Sequence, residues 1–158
     1  MDWGGWAVFG LVATTLLTAV LTLVQMAGQT RLDLPLLLGS ALVADPDRAR
    51  VVGFGVHLGF GQLFAAFYAA GFATLDRSGW WLGALFGLIH AVVALTVLVP
   101  LLPGVHPRMA SDRAGPDSTA GLEPPGPFAV NYGLATPLVT IAAHVVYGAV
   151  LGLTLHPT

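Results

Sequence analysis

The chain has 158 residues, of which 56% are hydrophobic and 9% charged, with a formal net charge of −2 and a mean hydropathy of +0.80. Soluble domains carry about 25% charged residues, so this composition argues for an integral membrane protein, and the slightly acidic balance speaks against nucleic acid as a partner. With no cysteine in the chain, disulfides, thiolate metal sites and cysteine nucleophiles are excluded.

The first ten residues, MDWGGWAVFG, place an aspartate and two tryptophans where a cleavable signal would carry basic residues, so no such signal is expected. The first predicted span covers about residues 6–26. Thr14, Thr18 and Thr22 follow Gly10 at intervals of four, a helical stripe of small and hydroxyl side chains suited to facing other helices. Threonine in such a helix can also bond back to its own carbonyls. Residues 27–50 do not span: the apolar stretch 34–43 is short and broken by Pro35 and Gly39, which fits an interfacial or re-entrant helix. Asp45-Pro46-Asp47 then supplies a helix start.

The second span covers about residues 52–74, with Gly53, His57, Gly61, Phe64, Tyr68 and Gly71 on one face. The turn Asp76-Arg77-Ser78-Gly79 predicts a tight antiparallel hairpin with the third span, residues 80–101. That third span opens on Trp80-Trp81, carries a ridge of Gly83, Gly87, Ala91 and Ala94 beside His90, and ends among Pro100, Pro103 and His106. About 20 helical residues at 1.5 Å each match a hydrocarbon core of about 30 Å. Residues 104–127 read as an unstructured, mobile loop rich in Pro, Gly, Asp and Ser. The fourth span covers about 134–155, with Thr140, His144, Gly148 and Gly152 on its small-residue face.

The fold expected is therefore all-α: a four-helix transmembrane bundle in one domain, with the short interfacial helix between helices 1 and 2. Residues 27–50 and 103–133 lie on one side and hold five of the six arginines; Arg77 alone lies on the other. The positive-inside rule places the two long loops in the cytoplasm and both termini outside, which brings all four tryptophans to the outer interface.

No Asp, Glu or Arg falls inside these spans, so the acidic midplane group of a proton-coupled transporter or ion pump is missing. Histidine is present instead. His57, His90 and His144 come from three different helices, each on a small-residue face, with His90 and His144 near the midplane. His90 and His144 could ligate a haem iron (haem b), and His57, His90 and His144 together could hold a metal ion; alternatively, each is an interhelical hydrogen bond and no cofactor is bound. His106 reads as a helix terminator and His156 as solvated. The Gly-x3-Gly pairs Gly55/Gly59, Gly83/Gly87 and Gly148/Gly152 permit close backbone approach.

A histidine-bearing, glycine-rich second helix, Gly83, Gly87 and His90 in the third, PLLPGVHPRM at 100–109, GPFAVNYG at 126–133 and AHVVYGAVLG at 143–152 together resemble a group of small four-helix bacterial membrane proteins. The resemblance implies the four-helix architecture and the importance of the histidines, and it brings no activity; the expected location is a bacterial inner membrane. No catalytic constellation is present, so the expected role is non-catalytic: an accessory or interaction subunit, with the lipid bilayer and other membrane protein subunits or further copies of itself as partners. The alternatives are a haem- or metal-binding redox protein and a carrier of a small neutral or lipidic molecule.

Overall fold

The computed structural model describes residues 2–110 and 121–157. Among these the regular elements are all helical. Four stretches are long and apolar enough to cross a membrane: Trp3–Met26, Pro46–Leu75, Trp80–Val105 and Thr136–Thr154.

Helix α1 (Trp3–Met26) starts where Asp2 accepts the Gly5 N–H at 2.7 Å. The six-residue α2 (Leu34–Gly39) starts the same way, Asp33 accepting from Leu36 N–H at 2.9 Å with Pro35 in the first turn. In α3 (Pro46–Leu75), Asp45 caps the Arg48 N–H at 2.9 Å. The cap sets the helix start, so α3 begins six residues before the expected position 52, and its polar first turn precedes the apolar stretch. Arg50 lies between Asp33 at 2.8 Å and Asp47 at 3.1 Å, tying α3 to the start of α2.

The third span also outruns its expected end. Helix α4 (Trp80–Val93) passes through a π turn (Ala94–Leu98) into α5 (Val99–Val105), one continuous run. Pro100 has no N–H for the Thr96 carbonyl and its ring crowds that carbonyl. The widened turn absorbs the conflict: Val99 N–H reaches back five residues to the Ala94 carbonyl. The chain leaves the helix only at His106.

Helix α6 (Thr136–Thr154) is the hub. It packs along α4 and against α1, and α1 packs in turn against α3. The α4–α6 crossing is built from glycine. A Cβ on Gly83 would fall far inside contact distance of the Gly148 carbonyl, and the same holds for Gly87 at the His144 carbonyl, Gly148 at Gly83 and Gly152 at Gly79. The two backbones touch, as small residues allow between membrane helices. Gly61 similarly receives Thr14 at the α1–α3 crossing, and Gly39 and Gly53 bring α2 onto α3 backbone to backbone. Gly55 and Gly59 meet nothing within 4 Å.

The expected tight hairpin takes a different form. Helices α3 and α4 share the turn 76–79, with Asp76 left-handed at φ 49°, yet their backbones do not pack closely. Aromatic rings fill the seam: Phe72 stacks on Phe86 at 5.3 Å between centroids, and Tyr68 meets Phe86 edge-on at 5.7 Å.

The centre of the 104–127 loop, residues 111–120, lies outside the described residues. Its described ends are docked rather than free. Met109 and Leu122 form an isolated bridge, Ala110 N–H bonding the Leu122 carbonyl and Leu122 N–H the Arg108 carbonyl, each at 3.0 Å. His106, Met109 and Pro125 are buried. Met109 joins a second apolar cluster with Leu32, Leu37, Leu95, Ala129 and Tyr132. The polar composition concealed these few anchors. Because that bridge closes the base, exchanging residues 111–120 for a short Asn-Gly turn is expected to leave the melting temperature in detergent unchanged; a clear drop would show that this stretch contributes contacts of its own.

Tyr132 belongs to the same cap. Its hydroxyl donates to the Glu123 carbonyl at 2.7 Å, and burial, with the Glu123 carboxylate adding to it, pushes the phenol up to about 12. The turn that delivers it, residues 127–132, holds Phe128 and Ala129 at positive φ.

Candidate functional site

The interior polar groups are hydroxyls and imidazoles joined in short, separate hydrogen-bonded sets. Along α1, Thr14 donates to the Gly10 carbonyl and Thr18 to the Thr14 carbonyl, each at 2.7 Å. The single hydroxyl proton of Thr18 is thereby committed, so its oxygen accepts from His57 Nδ1–H at 2.8 Å. This leaves His57 with a lone pair at Nε2. On α6, Tyr147, 1% exposed, donates to the Gly61 carbonyl of α3 at 2.6 Å. That carbonyl belongs to the glycine against which Thr14 packs, so α1, α3 and α6 meet at one point.

His90 and His144 lie beside this junction. Their rings are in edge-to-face contact, centroids 4.7 Å apart. His144 is 8% exposed and donates Nδ1–H to the Thr140 carbonyl one turn back, at 2.8 Å. That carbonyl can only accept, so His144 too carries its lone pair on Nε2. Phe64 packs on His90 at a tilt, with centroids 3.9 Å apart, and the Tyr68 hydroxyl lies 3.4 Å from its Nδ1. Tyr147 contacts both Tyr68, at 5.4 Å, and His90, at 6.0 Å.

Three imidazoles therefore use Nδ1 for the protein, and none forms a hydrogen bond through Nε2 to another described residue. His106 differs. Its Nε2 donates to the Leu37 carbonyl at 3.0 Å while Nδ1 accepts the Arg108 N–H at 3.2 Å. With both nitrogens engaged and Arg108 bonded to the Ser40 carbonyl, His106 closes the C-terminal end of α2. His156 is exposed.

One more group lacks a partner. The Thr140 hydroxyl, in a residue 7% exposed, forms no hydrogen bond, although a neighbouring helix carbonyl is its usual resort. An orphaned buried hydroxyl costs about 1–3 kcal/mol. Gln62 Oε1 is the other such atom among the described residues; its amide nitrogen holds the Ala7 carbonyl at 2.7 Å.

The chemistry open to this cluster is that of neutral donors and acceptors. Among the described residues, no three His, Asp or Glu side chains are grouped to hold a metal ion. Axial haem ligands face each other across a macrocycle, whereas His90 and His144 touch edge to face, and the room left by Gly87 is taken by the α6 backbone. Of the three histidines named from sequence, His90 and His144 are brought into contact; His57 is held on the α1 side by Thr18.

Tyr68, Tyr147 and Thr140 complete the cluster without having been singled out as candidates. Tyr68 and Thr140 could have been found, since both lie on the helical faces that carry His57 and His144; Tyr147 has only its spacing of three from His144. Glutamine keeps a donor and an acceptor at similar length, so His57→Gln, His90→Gln and His144→Gln are each expected to cost no more than about 1 kcal/mol, as thermal unfolding in detergent would measure.

Against known proteins, the chain matches no family model, no curated protein and no solved structure.

Proposed function

We propose that the chain is a non-catalytic integral membrane protein of a bacterial inner membrane, acting as an accessory or interaction subunit. The supporting observation is the contrast among its glycines. Gly83, Gly87, Gly148, Gly152, Gly53 and Gly61 are each spent on a contact inside the bundle, while Gly55 and Gly59 open outward from α3 with nothing against them. Glycine in a helix interior is destabilising by about 0.5–1 kcal/mol relative to alanine, so an unused pair on the lipid-facing side fits a helix from another subunit or another copy. In this reading α2 lies at the cytoplasmic interface, the arginine-rich ends of the helices face the cytoplasm, and both termini face outward.

The test is a photo-crosslinking residue at Gly55 or Gly59 in the native membrane. A discrete adduct with a second protein or a second copy is expected. Adducts with lipid alone, in the face of normal accumulation of the protein, would sink the reading. The alternative role, a haem- or metal-binding protein using His57, His90 and His144, needs the edge-to-face contact between His90 and His144 to open around the bound group. It requires a Soret band or a stoichiometric metal in the purified protein.

A further inference from the structure

We propose that the His90–His144–Thr140 cluster binds the head group of a neutral, lipid-soluble quinone or its quinol, admitted from the bilayer between α3 and α4. The inference rests on the membrane reading above and is independent of the proposed subunit role.

The first observation is the set of unclaimed polar atoms. His144 and Thr140 are both more than nine-tenths buried, and the Thr140 hydroxyl has no partner. His144 offers a lone pair at Nε2, because Nδ1 is fixed as a donor to the Thr140 carbonyl. If the Tyr68 hydroxyl donates to His90 Nδ1, then His90 Nε2 is an N–H donor. A hydroxyl and an imidazole acceptor on α6 thus lie along the stretch that packs on the part of α4 carrying His90. In hydrocarbon such groups need a partner, and the bilayer supplies no water.

The second observation is the register and shape of the two helices. Gly87 lies against the His144 carbonyl in an antiparallel pair, so the next turn of α4 faces Thr140. That part of α4 runs into the π turn Ala94–Leu98, a widening that recurs at functional sites.

The third concerns charge and access. The interior stretches carry no Asp, Glu or Arg to balance an ion, which favours a neutral ligand over a metal. The seam between α3 and α4 is closed by side chains rather than by packed backbones, and Phe64, Tyr68 and Phe86 line it with rings. A planar head group fits such walls by stacking. Its carbonyl accepts from His90 N–H or the Thr140 hydroxyl, and the quinol O–H donates to His144 Nε2. Binding alone is proposed, with no electron transfer.

The probe is an azido-benzoquinone with a decyl tail, applied to the full-length protein in detergent, with decylbenzoquinone as competitor and the labelled peptides mapped. Saturable, competable labelling of α4 and α6 peptides is expected. Thr140→Val should weaken it about tenfold, the loss of one hydrogen bond. His144→Phe should abolish it. Thr74→Val, on the outer side of α3, should leave it unchanged. Thr140→Val nearly preserves the side-chain shape and replaces an orphaned hydroxyl, so its ligand-free melting temperature should equal or exceed the parent's; weakened binding then cannot be put down to misfolding. Labelling that is not competable, or labelling equal in the parent, Thr140→Val and His144→Phe, overturns the proposal. So does a stoichiometric metal or haem in the purified protein that is lost in His144→Gln.

Discussion

Replacing Gly83 with leucine is expected to break the α4–α6 pair and leave the protein without a cooperative thermal transition in detergent. The added side chain would start inside the Gly148 carbonyl, a backbone group that cannot rotate away. Overpacking against movable side chains costs about 1–3 kcal/mol, and here the helices themselves must separate. Separation would also pull Gly87 from the His144 carbonyl and Gly152 from the Gly79 carbonyl, because all these contacts lie along one crossing. If the cost is only about 3 kcal/mol, the melting temperature should still fall by roughly 10 °C for a chain of this size. Gly55→Leu is the matched control: the same change on α3 meets open space and should leave the transition where it is. Equal effects of the two variants would mean that the α4–α6 crossing is not as close as described.

Gly53→Val should have the next largest effect, and a different character. A Cβ there would meet the Pro35 carbonyl, and one on Gly39 the Ala49 carbonyl, so α2 sits on α3 with no room for a side chain. Valine at 53 would lift α2 off while the α4–α6 and α1–α3 crossings stay intact. The Leu37 and Ser40 carbonyls would then lose His106 and Arg108, releasing the Met109 end of the following loop as well. The expected result is a retained bundle with proteolytic cleavage between residues 28 and 45, and fast amide exchange at Ser40 and Val43. Global unfolding instead would show that α2 is part of the bundle's cooperative unit.

Length and hydropathy were enough to place the four long helices, since an apolar run of about 20 residues has few other uses. Their ends depended on local chemistry. Asp45 visibly caps a helix, yet the polar turn Asp47 to Arg50 lies outside the hydropathy signal, and α3 begins earlier for that reason. Pro100 and Pro103 read as terminators, whereas a π turn lets the helix continue to Val105. Spacing marked three Gly-x3-Gly pairs but could not distinguish the two that meet each other from the pair at Gly55 and Gly59, which faces outward; that depends on how each helix is rotated. The threonine stripe was legible because hydroxyls at steps of four bond up their own helix, as Thr14 and Thr18 do. The histidines could be assigned to inward faces, but not their nitrogens. The split between a committed Nδ1 and a free Nε2 comes from a carbonyl on the same helix for His144 and from a hydroxyl on another helix for His57. Met109 and Pro125 escaped because isolated apolar residues in a polar loop carry no periodicity.

The most direct test of a four-span bundle enclosing this histidine–tyrosine core is a single-cysteine scan in intact cells with a membrane-impermeant maleimide, for which the natural absence of cysteine provides a clean background. Cysteine at Arg77 should label from outside, cysteine at Gln29 or Asp45 only after the membrane is opened, and cysteine at Thr140 or Ala91 in neither case until the protein is denatured. Labelling of Arg77 and Asp45 from the same side, or of Thr140 in the folded protein, would contradict it.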